Sequence, residues 1–280
     1  MKTNGVLGSP HLDKGSVKLS VRDVCKTFRL RGNAAGKDQY LNVLRGVGFD
    51  VRQGEIVSII GESGCGKTTL LRIVQGLIRL DSGQVLVDDK QVTKPDRDRG
   101  FVFQQASLLP WRTARKNVEF GLELGGMSKA DRAKRAMSLL ELVGLAHAAD
   151  QYPHELSGGM QQRIGLARAL AIDPAILLMD EPFSALDAQT REVLQMELMR
   201  IHGQTGKTTL FVTHDLDEAI YISDRVVVMV AKPGRVKKII DIPFAHPRPE
   251  LPELRGDPRF QAIRSEMWDL IRTPAAAVAA

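Results

Sequence analysis

Cysteine, aromatic residues and long apolar runs are all scarce in this 280-residue chain. The two cysteines, Cys25 and Cys65, are too few for a disulfide framework and lack the spacing of a zinc site. The longest uncharged stretch contains residues 101–111 and is interrupted by Gln104 and Pro110. It cannot form a membrane-spanning helix, which needs roughly 18 apolar residues in a row. The first residues also lack the apolar segment of a secretory signal, so we expect a cytoplasmic protein.

The charge of the chain is basic, with 39 lysines and arginines against 33 acidic residues and a net charge of +6. Basic proteins often bind nucleic acid. Here, however, the basic residues are interleaved with acidic ones, and aromatic residues make up only 5% of the chain. Proteins that bind single-stranded nucleic acid stack its bases on aromatic side chains. The pattern therefore favours a solvated surface, and we expect no nucleic-acid partner.

Four short apolar segments, rich in β-branched residues, indicate the strands of a parallel sheet buried on both faces. They are residues 55–60 (EIVSII), 175–179 (AILLM), 209–212 (TLFV) and 225–230 (RVVVMV). Helical patterns separate these segments, which predicts an α/β fold with helices covering both sides of the sheet. Between about residues 105 and 172 the pattern is almost wholly helical. We therefore expect an inserted α-helical subdomain in that interval.

The remaining elements are predicted from local patterns. Residues 17–30 and 47–51 read as strands, with a turn-rich loop at 31–40. Helices are expected at 68–77, 158–171, 188–202 and 257–272, and another from Ser128, where a Ser-x-x-Asp sequence predicts an N-terminal cap. We expect a flexible leader over residues 1–16 and a frayed tail over 273–280.

A phosphate-binding loop is predicted at residues 61–68, which read GESGCGKT and match the pattern G-x-x-x-x-G-K-[ST]. The loop directly follows a predicted strand and precedes a predicted helix, so backbone N–H groups and the helix N-terminus can converge on phosphate oxygens. Lys67 should reach the β- and γ-phosphates, and Thr68 should bind Mg²⁺. A chance glycine loop is the alternative, and the strand–loop–helix context argues against it. Cys65 is expected to fill space rather than to react.

Polar residues follow two of the predicted sheet strands at their carboxyl ends, where α/β proteins bind ligands. Asp180 and Glu181 come directly after AILLM, and His214 follows TLFV. Asp180 is suited to hold Mg²⁺, and Glu181 to orient or deprotonate an attacking water. His214 can contact a γ-phosphate or that water. An acidic pair at a helix N-terminus is the plain structural alternative, but the phosphate loop already calls for a metal ligand.

A second phosphate cradle is indicated by residues 156–163, which read LSGGMQQR just before a helix. Ser157, Gly158 and Gly159 place another exposed helix N-terminus in the same chain. One nucleotide does not need two such cradles. A head-to-tail dimer explains them, with each ATP held between the phosphate loop of one subunit and the Ser-Gly-Gly of the other.

These motifs together resemble those of ATP-binding cassette (ABC) transporter ATPases, for which LSGGMQQR is the signature. The resemblance covers about residues 17–240. It implies a P-loop ATPase core, in which a RecA-like mixed sheet carries an antiparallel β part, with the helical subdomain inserted at about 105–172 and a C-terminal extension from 241 to 280. It also implies ATP and Mg²⁺ as cofactors.

The resemblance assigns a role to each matching residue. Catalysis is implied for Glu181, the switch histidine His214 and the Q-loop glutamine Gln104, and metal binding for Thr68, Gln104 and Asp180. Phe28 matches the aromatic residue that stacks on adenine, and residues 184–187 match the D-loop. ATP binding is implied in the same chain for Phe28, Gly61, Glu62, Ser63, Gly64, Cys65, Gly66, Lys67, Thr68 and Thr69, and across the dimer for Ser157, Gly158, Gly159, Gln161 and Asp187.

The branch of the family is indicated by the segment that follows Gln104, which reads QASLLPW and resembles importers of the nitrate, sulfonate and taurine type. Gln105 replaces an acidic residue that is common there. Such importers imply two membrane permease subunits, a solute-binding protein and a place at the cytoplasmic face of the inner membrane. Trp111 is expected either to contact the permease or to pack within the helical subdomain, and both interpretations stay open at this point.

Three other functions are weighed against the importer. ABC ATPases of translation carry two cassettes in one chain, and those of DNA repair carry a long coiled coil between phosphate loop and signature, whereas this chain has neither pattern. A non-hydrolysing scaffold would be expected to lack Glu181 or His214. An exporter ATPase is disfavoured only by the QASLLPW segment.

Overall fold

The structure is a computed structural model and describes residues 15–30 and 39–272. Most of the predicted leader (1–14), most of the predicted loop (31–38) and the predicted tail (273–280) lie outside the described residues.

Strands and helices are numbered in chain order. The strands are β1 (Val17–Leu30), β2 (Gln39–Arg52), β3 (Ile56–Gly61), β4 (Ser82–Val87), β5 (Lys90–Gln91), β6 (Arg99–Val102), β7 (Ile176–Asp180), β8 (Thr208–Val212), β9 (Arg225–Val230) and β10 (Arg235–Asp241). The α-helices are α1 (Lys67–Gln75), α2 (Ala114–Leu124), α3 (Lys129–Leu142), α4 (Gly158–Ala171), α5 (Ala188–Thr205), α6 (Leu216–Ile222), α7 (Leu251–Arg255) and α8 (Pro258–Arg272).

The strands form two sheets. The larger has the order β10-β9-β3-β8-β7-β6, in which β10 runs antiparallel to β9 and the other neighbours are parallel. The smaller is antiparallel, with the order β2-β1-β4-β5. The four apolar segments singled out in the sequence are the four inner strands of the larger sheet. The α/β fold with a mixed sheet and an antiparallel part is therefore confirmed.

Each face of the larger sheet carries its own apolar core. On one face Ile60, Met179 and Phe211 pack with the helices α2–α6 and α8. On the other face Ile59 and Leu210 pack with α1 and with the strands of the smaller sheet. The expectation that helices cover both faces is therefore wrong for the second face, where α1 shares the cover with an antiparallel sheet. Sequence periodicity shows that a strand is buried but not which kind of element buries it.

The predicted helices are largely confirmed, and short polar side chains cap them. Ser128 accepts a hydrogen bond from the backbone N–H of Asp131, as the Ser-x-x-Asp pattern predicts. Thr113, Ser157 and Asp187 cap α2, α4 and α5 in the same way. Such caps satisfy N–H groups that have no partner within the helix. Helices α2, α3 and α4 occupy the interval in which the helical insertion is expected.

Six elements of the described residues lie outside every range predicted as a strand or as helical, namely β4, β5, β6, β10, α6 and α7. Strand β10 reads RVKKIID and lies at an edge of its sheet with most residues exposed, so it lacks the apolar signal of a buried strand. Past β10 the chain returns to the helical face of the sheet. Phe260 and Met267 of α8 are fully buried in the core on that face. The boundary of the ATPase domain at residue 240 stays a prediction.

Candidate active site

The phosphate loop joins the buried strand β3 to helix α1. Every residue of β3 is buried, so the chain leaves the sheet at a fixed point. Helix α1 begins at Lys67, directly after Gly66, whose φ of 94° lies in the left-handed region. A Cβ atom on Gly66 would also lie 2.6 Å from Leu44 Cδ2. Glycine is therefore required there both for the backbone conformation and for packing.

Lys67 is held inside the curve of this loop. Its Nζ donates hydrogen bonds to the backbone oxygens of Gly61 at 2.7 Å and Glu62 at 3.2 Å, and only 7% of the residue is exposed. Cys65 lies beneath the loop and is fully buried. Burial raises the pKa of its thiol, and the opposing effect of nearby Lys67 is smaller. These facts favour the role of Cys65 as a space-filling residue.

Thr68 and Asp180 meet at the carboxyl end of the sheet. Thr68 Oγ1 donates to Asp180 Oδ1 at 3.2 Å. Burial raises the pKa of Asp180, the hydrogen bond from Thr68 opposes this, and the charge of Glu181 adds to it. Among the described residues no cluster of three or more histidine, cysteine or acidic side chains could hold a metal alone. Mg²⁺ typically needs only one or two protein oxygens besides phosphates and water, so the hydroxyl–carboxylate pair fits it.

Glu181 and His214 form the adjacent contact. His214 Nδ1 lies 3.0 Å from Glu181 Oε2, and 62% of the His214 side chain is exposed. The φ of Glu181 is 46°, and its backbone N–H donates to the oxygen of Val212. The left-handed conformation turns the chain sharply just after β7. It places the carboxylate beside the histidine that follows β8.

The Q-loop glutamine reaches the same group of residues through a serine. Gln104 Nε2 donates to Ser184 Oγ at 3.1 Å, and Ser184 Oγ donates to the backbone oxygen of Glu181 at 2.9 Å. The structure thus brings Gln104 beside Glu181, although the two are far apart in sequence.

An open cleft of roughly 470 Å³ lies over the phosphate loop. Its lining combines the loop, the Glu181–His214 pair and two residues of β2, namely Leu41, Val43, Ser63, Gly64, Gly66, Lys67, Thr68, Thr69, Glu181 and His214. Phe28 on β1 pairs with Leu41 in the sheet, and Lys26 Nζ lies 5.3 Å from its ring centre. Phe28 is thus one strand away from the cleft wall.

The signature residues lie elsewhere on the described surface, and none of them lines this cleft. Ser157 Oγ accepts a hydrogen bond from the N–H of Met160 and begins α4. Ser157 and Gly158 are exposed, whereas Gly159 is buried. A Cβ atom on Gly159 would lie 2.9 Å from Thr190 Cγ2 of α5, so the absence of a side chain lets α4 and α5 approach closely.

Two further residues predicted to act across a dimer have local partners. Asp187 Oδ1 accepts from the N–H of Thr190, and this capping bond lowers the pKa of Asp187. Gln161 Nε2 donates to the backbone oxygens of Pro153 and Leu156. The amide nitrogen of Gln161 thus holds the turn that precedes Ser157, which is a positioning task.

Sequence reasoning missed several residues of the site. Leu41 and Val43 line the cleft, but their place depends on how β2 pairs with β1, which the sequence does not show. Ser184 belongs to a recognised motif, yet its link between Gln104 and Glu181 is visible only in three dimensions. The buried carboxyl of Glu218, close behind His214, was also missed.

The described part of the chain contains no helix that is long and apolar enough to cross a membrane. Residues 44–184 match the family model described as ABC transporter. The chain therefore belongs to the ABC transporter family, and it is an ATP-binding subunit and an ATPase. The resemblance drawn from its motifs is confirmed.

Among its relatives, an uncharacterized ABC transporter ATP-binding protein of Methanocaldococcus jannaschii is 51% identical, over 84% of this chain and 86% of the relative. The nitrate import ATP-binding protein NrtC of Synechococcus elongatus is 44% identical, over 92% of this chain and 38% of the relative. The taurine import ATP-binding protein TauB of Roseobacter denitrificans is 41% identical, over 90% of this chain and 93% of the relative.

A similar solved structure is the ATP-binding cassette MJ0796, dimeric and bound to ADP and Pi in a post-hydrolysis state. The TM-score is 0.69 at 36% identity, and the match covers 80% of this chain and 98% of that one.

Proposed function

We propose that this ATPase powers an importer of a small anionic solute such as nitrate, a sulfonate or taurine. Two observations support the proposal. The relatives named nitrate and taurine import ATP-binding proteins match about nine tenths of the chain at 44% and 41% identity. The segment QASLLPW after Gln104 resembles the same branch of the family.

The contact that carries the proposed chemistry is the pair Glu181–His214 beside Lys67 and Thr68. Lys67 and the loop N–H groups bind the phosphates, which offsets their charge. Glu181 accepts a proton from the attacking water, and His214 holds the Glu181 carboxylate in place and contacts the γ-phosphate. Mg²⁺, bound by Thr68 and Asp180 with Gln104 nearby, would neutralise charge that develops on the phosphate oxygens.

Each ATP is proposed to lie between two copies of the chain. Ser157 and Gly158 are exposed at a helix N-terminus, with Gly159 buried behind them, and this end is not part of the cleft of its own subunit. In a head-to-tail dimer this end can bind the γ-phosphate held by the partner. Asp187 on the D-loop lies near it, because a Cβ atom on Gly158 would lie 3.5 Å from Leu186 Cδ2 and one on Gly159 would lie 2.9 Å from Thr190 Cγ2.

The permease subunits are proposed to dock at an apolar groove of roughly 790 Å³ beside the Q-loop. Phe101, Phe103, Leu109, Phe120 and Leu124 contribute to its lining. Trp111 is 72% exposed, so the interpretation that it packs within the helical subdomain is wrong. An exposed apolar patch of this kind is typical of a protein-binding surface. Docking there would hold the subunit at the cytoplasmic face of the membrane, with a solute-binding protein acting on the other side.

Uptake of a labelled anion tests the import proposal. Cells that lack this chain should lose accumulation of one of nitrate, taurine or an alkanesulfonate, and the wild-type gene should restore it. Glu181→Gln should not restore it, since hydrolysis is lost. Normal uptake of all three anions without the chain, together with a defect in efflux, would contradict import and support an exporter.

Dimerisation of the purified protein tests the shared site. Glu181→Gln should form a dimer in ATP and Mg²⁺ but not in ADP, as measured by light scattering after size exclusion. Adding Ser157→Arg should abolish the dimer while ATP still binds, and Lys67→Ala should lose ATP binding itself. A dimer that persists with Ser157→Arg would refute the shared site.

A further inference from the structure

A buried carboxyl lies directly behind the switch histidine. Helix α6 begins two residues after His214, and Glu218 lies in its first turn with only 4% of its surface exposed. The Glu218 carboxyl accepts a hydrogen bond from Gln195 Nε2 at 3.0 Å, and the side chain of Thr213 lies near enough to lower its pKa. Thr213 immediately precedes His214, and Asp215, which follows it, accepts a hydrogen bond at Oδ1 from the backbone N–H of Glu218 at 3.1 Å. Both neighbours of the histidine therefore lie against Glu218.

The same carboxyl connects His214 to the D-loop. Gln195 belongs to α5, whose N-terminus is capped by the D-loop residue Asp187. Nearer that end, Arg191 donates to the backbone oxygen of Leu186 at 2.9 Å and lies 3.7 Å from Asp215. Two side chains of α5 therefore contact the segment around His214, one at the exposed rim and one in the interior.

We propose that Glu218 is a positioning residue that holds His214 against Glu181 and couples both to the D-loop through Gln195. The proposal rests on the proposed chemistry of Glu181 and His214 and adds a residue that their motifs do not include. A shift of α5 when a partner subunit contacts the D-loop would reach His214 through this contact.

The energetics argue against a role in filling space alone. A buried carboxyl is costly, and an apolar side chain of similar size would stabilise the position better. Burial raises the pKa of Glu218 to about 7, against the opposing effects of Thr213 and Gln195. The charged groups that face it from α5, α6 and α7 are Arg191, Glu192, Asp215, Asp217 and Arg255. Among the described residues Gln195 Oε1 has no hydrogen-bond partner, so a neutral Glu218 could donate to it once the amide turns over.

Steady-state hydrolysis with matched variants tests the proposal. Glu218→Ala should lower kcat by about tenfold to a hundredfold, as expected when a catalytic group is displaced, with KM for ATP nearly unchanged. Glu218→Gln keeps the hydrogen bond from Gln195 and the size of the side chain beside Thr213, so it should restore most of kcat. It should also remove the change in kcat near pH 7 that we expect of the wild type.

Glu119 provides the control, because it is a carboxyl of α2 that is only 2% exposed and is paired with Lys116 at 2.6 Å. Glu119→Ala should leave kcat per folded molecule unchanged. Glu218→Ala and Gln195→Ala should not be additive in kcat, since both break one network, whereas Glu218→Ala and Glu119→Ala should be additive.

Two outcomes would overturn the inference. A normal kcat for Glu218→Ala, or a loss explained entirely by its folded fraction, removes the positioning role while the proposed ATPase chemistry stands. If the Glu181→Gln variant hydrolysed ATP at the wild-type rate, that chemistry and the inference would be overturned together.

Discussion

Single residues of the site are held by backbone geometry as much as by side-chain contacts. Glu181 adopts a left-handed conformation with φ 46°, which costs a residue with a side chain about 1–2 kcal/mol. In return its carboxylate reaches His214 and its N–H still bonds to Val212. Such strain at a site is typical of functional residues that the surrounding fold holds in place.

Glu218 gives a residue-scale prediction about pH and stability. Its pKa rises from an ordinary 4.5 to about 7 in the folded protein, so folding disfavours the ionised form. Glu218 therefore costs no stability below about pH 4.5, where it is protonated in both states. Its contribution to the free energy of unfolding should become less favourable as the pH rises from about 4.5 to about 7. Glu218→Gln should remove this loss, so its free energy of unfolding relative to wild type should rise by up to about 3 kcal/mol between pH 5 and pH 8.

Urea denaturation of both proteins at pH 5 and pH 8 provides the measurement. If the difference in the free energy of unfolding between the two proteins were the same at pH 5 and pH 8, the pKa of Glu218 would not be raised by folding.

Elements position the site by where they begin. Helices α1, α4, α5 and α6 start at Lys67, Gly158, Ala188 and Leu216 respectively, each directly after a predicted site motif or within two residues of one. Three of these helices are capped by a serine or aspartate side chain, whereas α1 begins with a glycine and no side-chain cap. The N–H groups at the start of α1 are thus left to the phosphates.

Gly66→Ala tests how the start of α1 depends on its glycine. The added methyl group meets Leu44 and forces a left-handed alanine, so the free energy of unfolding should fall by about 2 kcal/mol. ATP binding, measured by calorimetry, should weaken as the loop shifts.

Gly203→Ala in α5 is the matched control. A Cβ atom there meets nothing within 4 Å, and the backbone is helical, so stability should rise by up to about 1 kcal/mol. Equal effects of the two changes would mean that Gly66 carries no conformational constraint.

At the scale of the whole molecule, the C-terminal segment packs into the same core as the sheet. Arg255 of α7 bonds to Glu192 of α5 and Asp217 of α6, and Arg264 of α8 bonds to Asp217 as well. Phe260 packs against Phe244 in the interior. The segment beyond β10 therefore braces the two helices that flank the switch histidine.

Phe260→Ala should show that this packing stabilises the ATPase fold. Phe260 is fully buried, so its removal should cost about 3–5 kcal/mol. Trp268→Ala on the same helix is the control, because Trp268 is 51% exposed and contacts Arg272, and it should cost less than about 1 kcal/mol. Chemical denaturation compares the two, and equal losses would indicate that α8 is only loosely attached.

The sequence by itself determined the inner strands, most helices, the phosphate loop and the family. These features depend on local information: apolar runs mark buried strands, Ser or Asp marks helix starts, and glycine spacing marks the loop. Edge strands such as β10 escaped prediction, because an exposed strand need not be apolar.

Only the tertiary structure decided what depends on residues distant in sequence. It showed that an antiparallel sheet covers one face of the larger sheet, that Ser184 links Gln104 to Glu181, and that Trp111 is exposed. It also revealed Glu218 between Gln195 and Thr213, a carboxyl that looks unremarkable in the sequence of an amphipathic helix. The physical reason is that burial and hydrogen-bond partners arise from packing between elements, which local patterns do not encode.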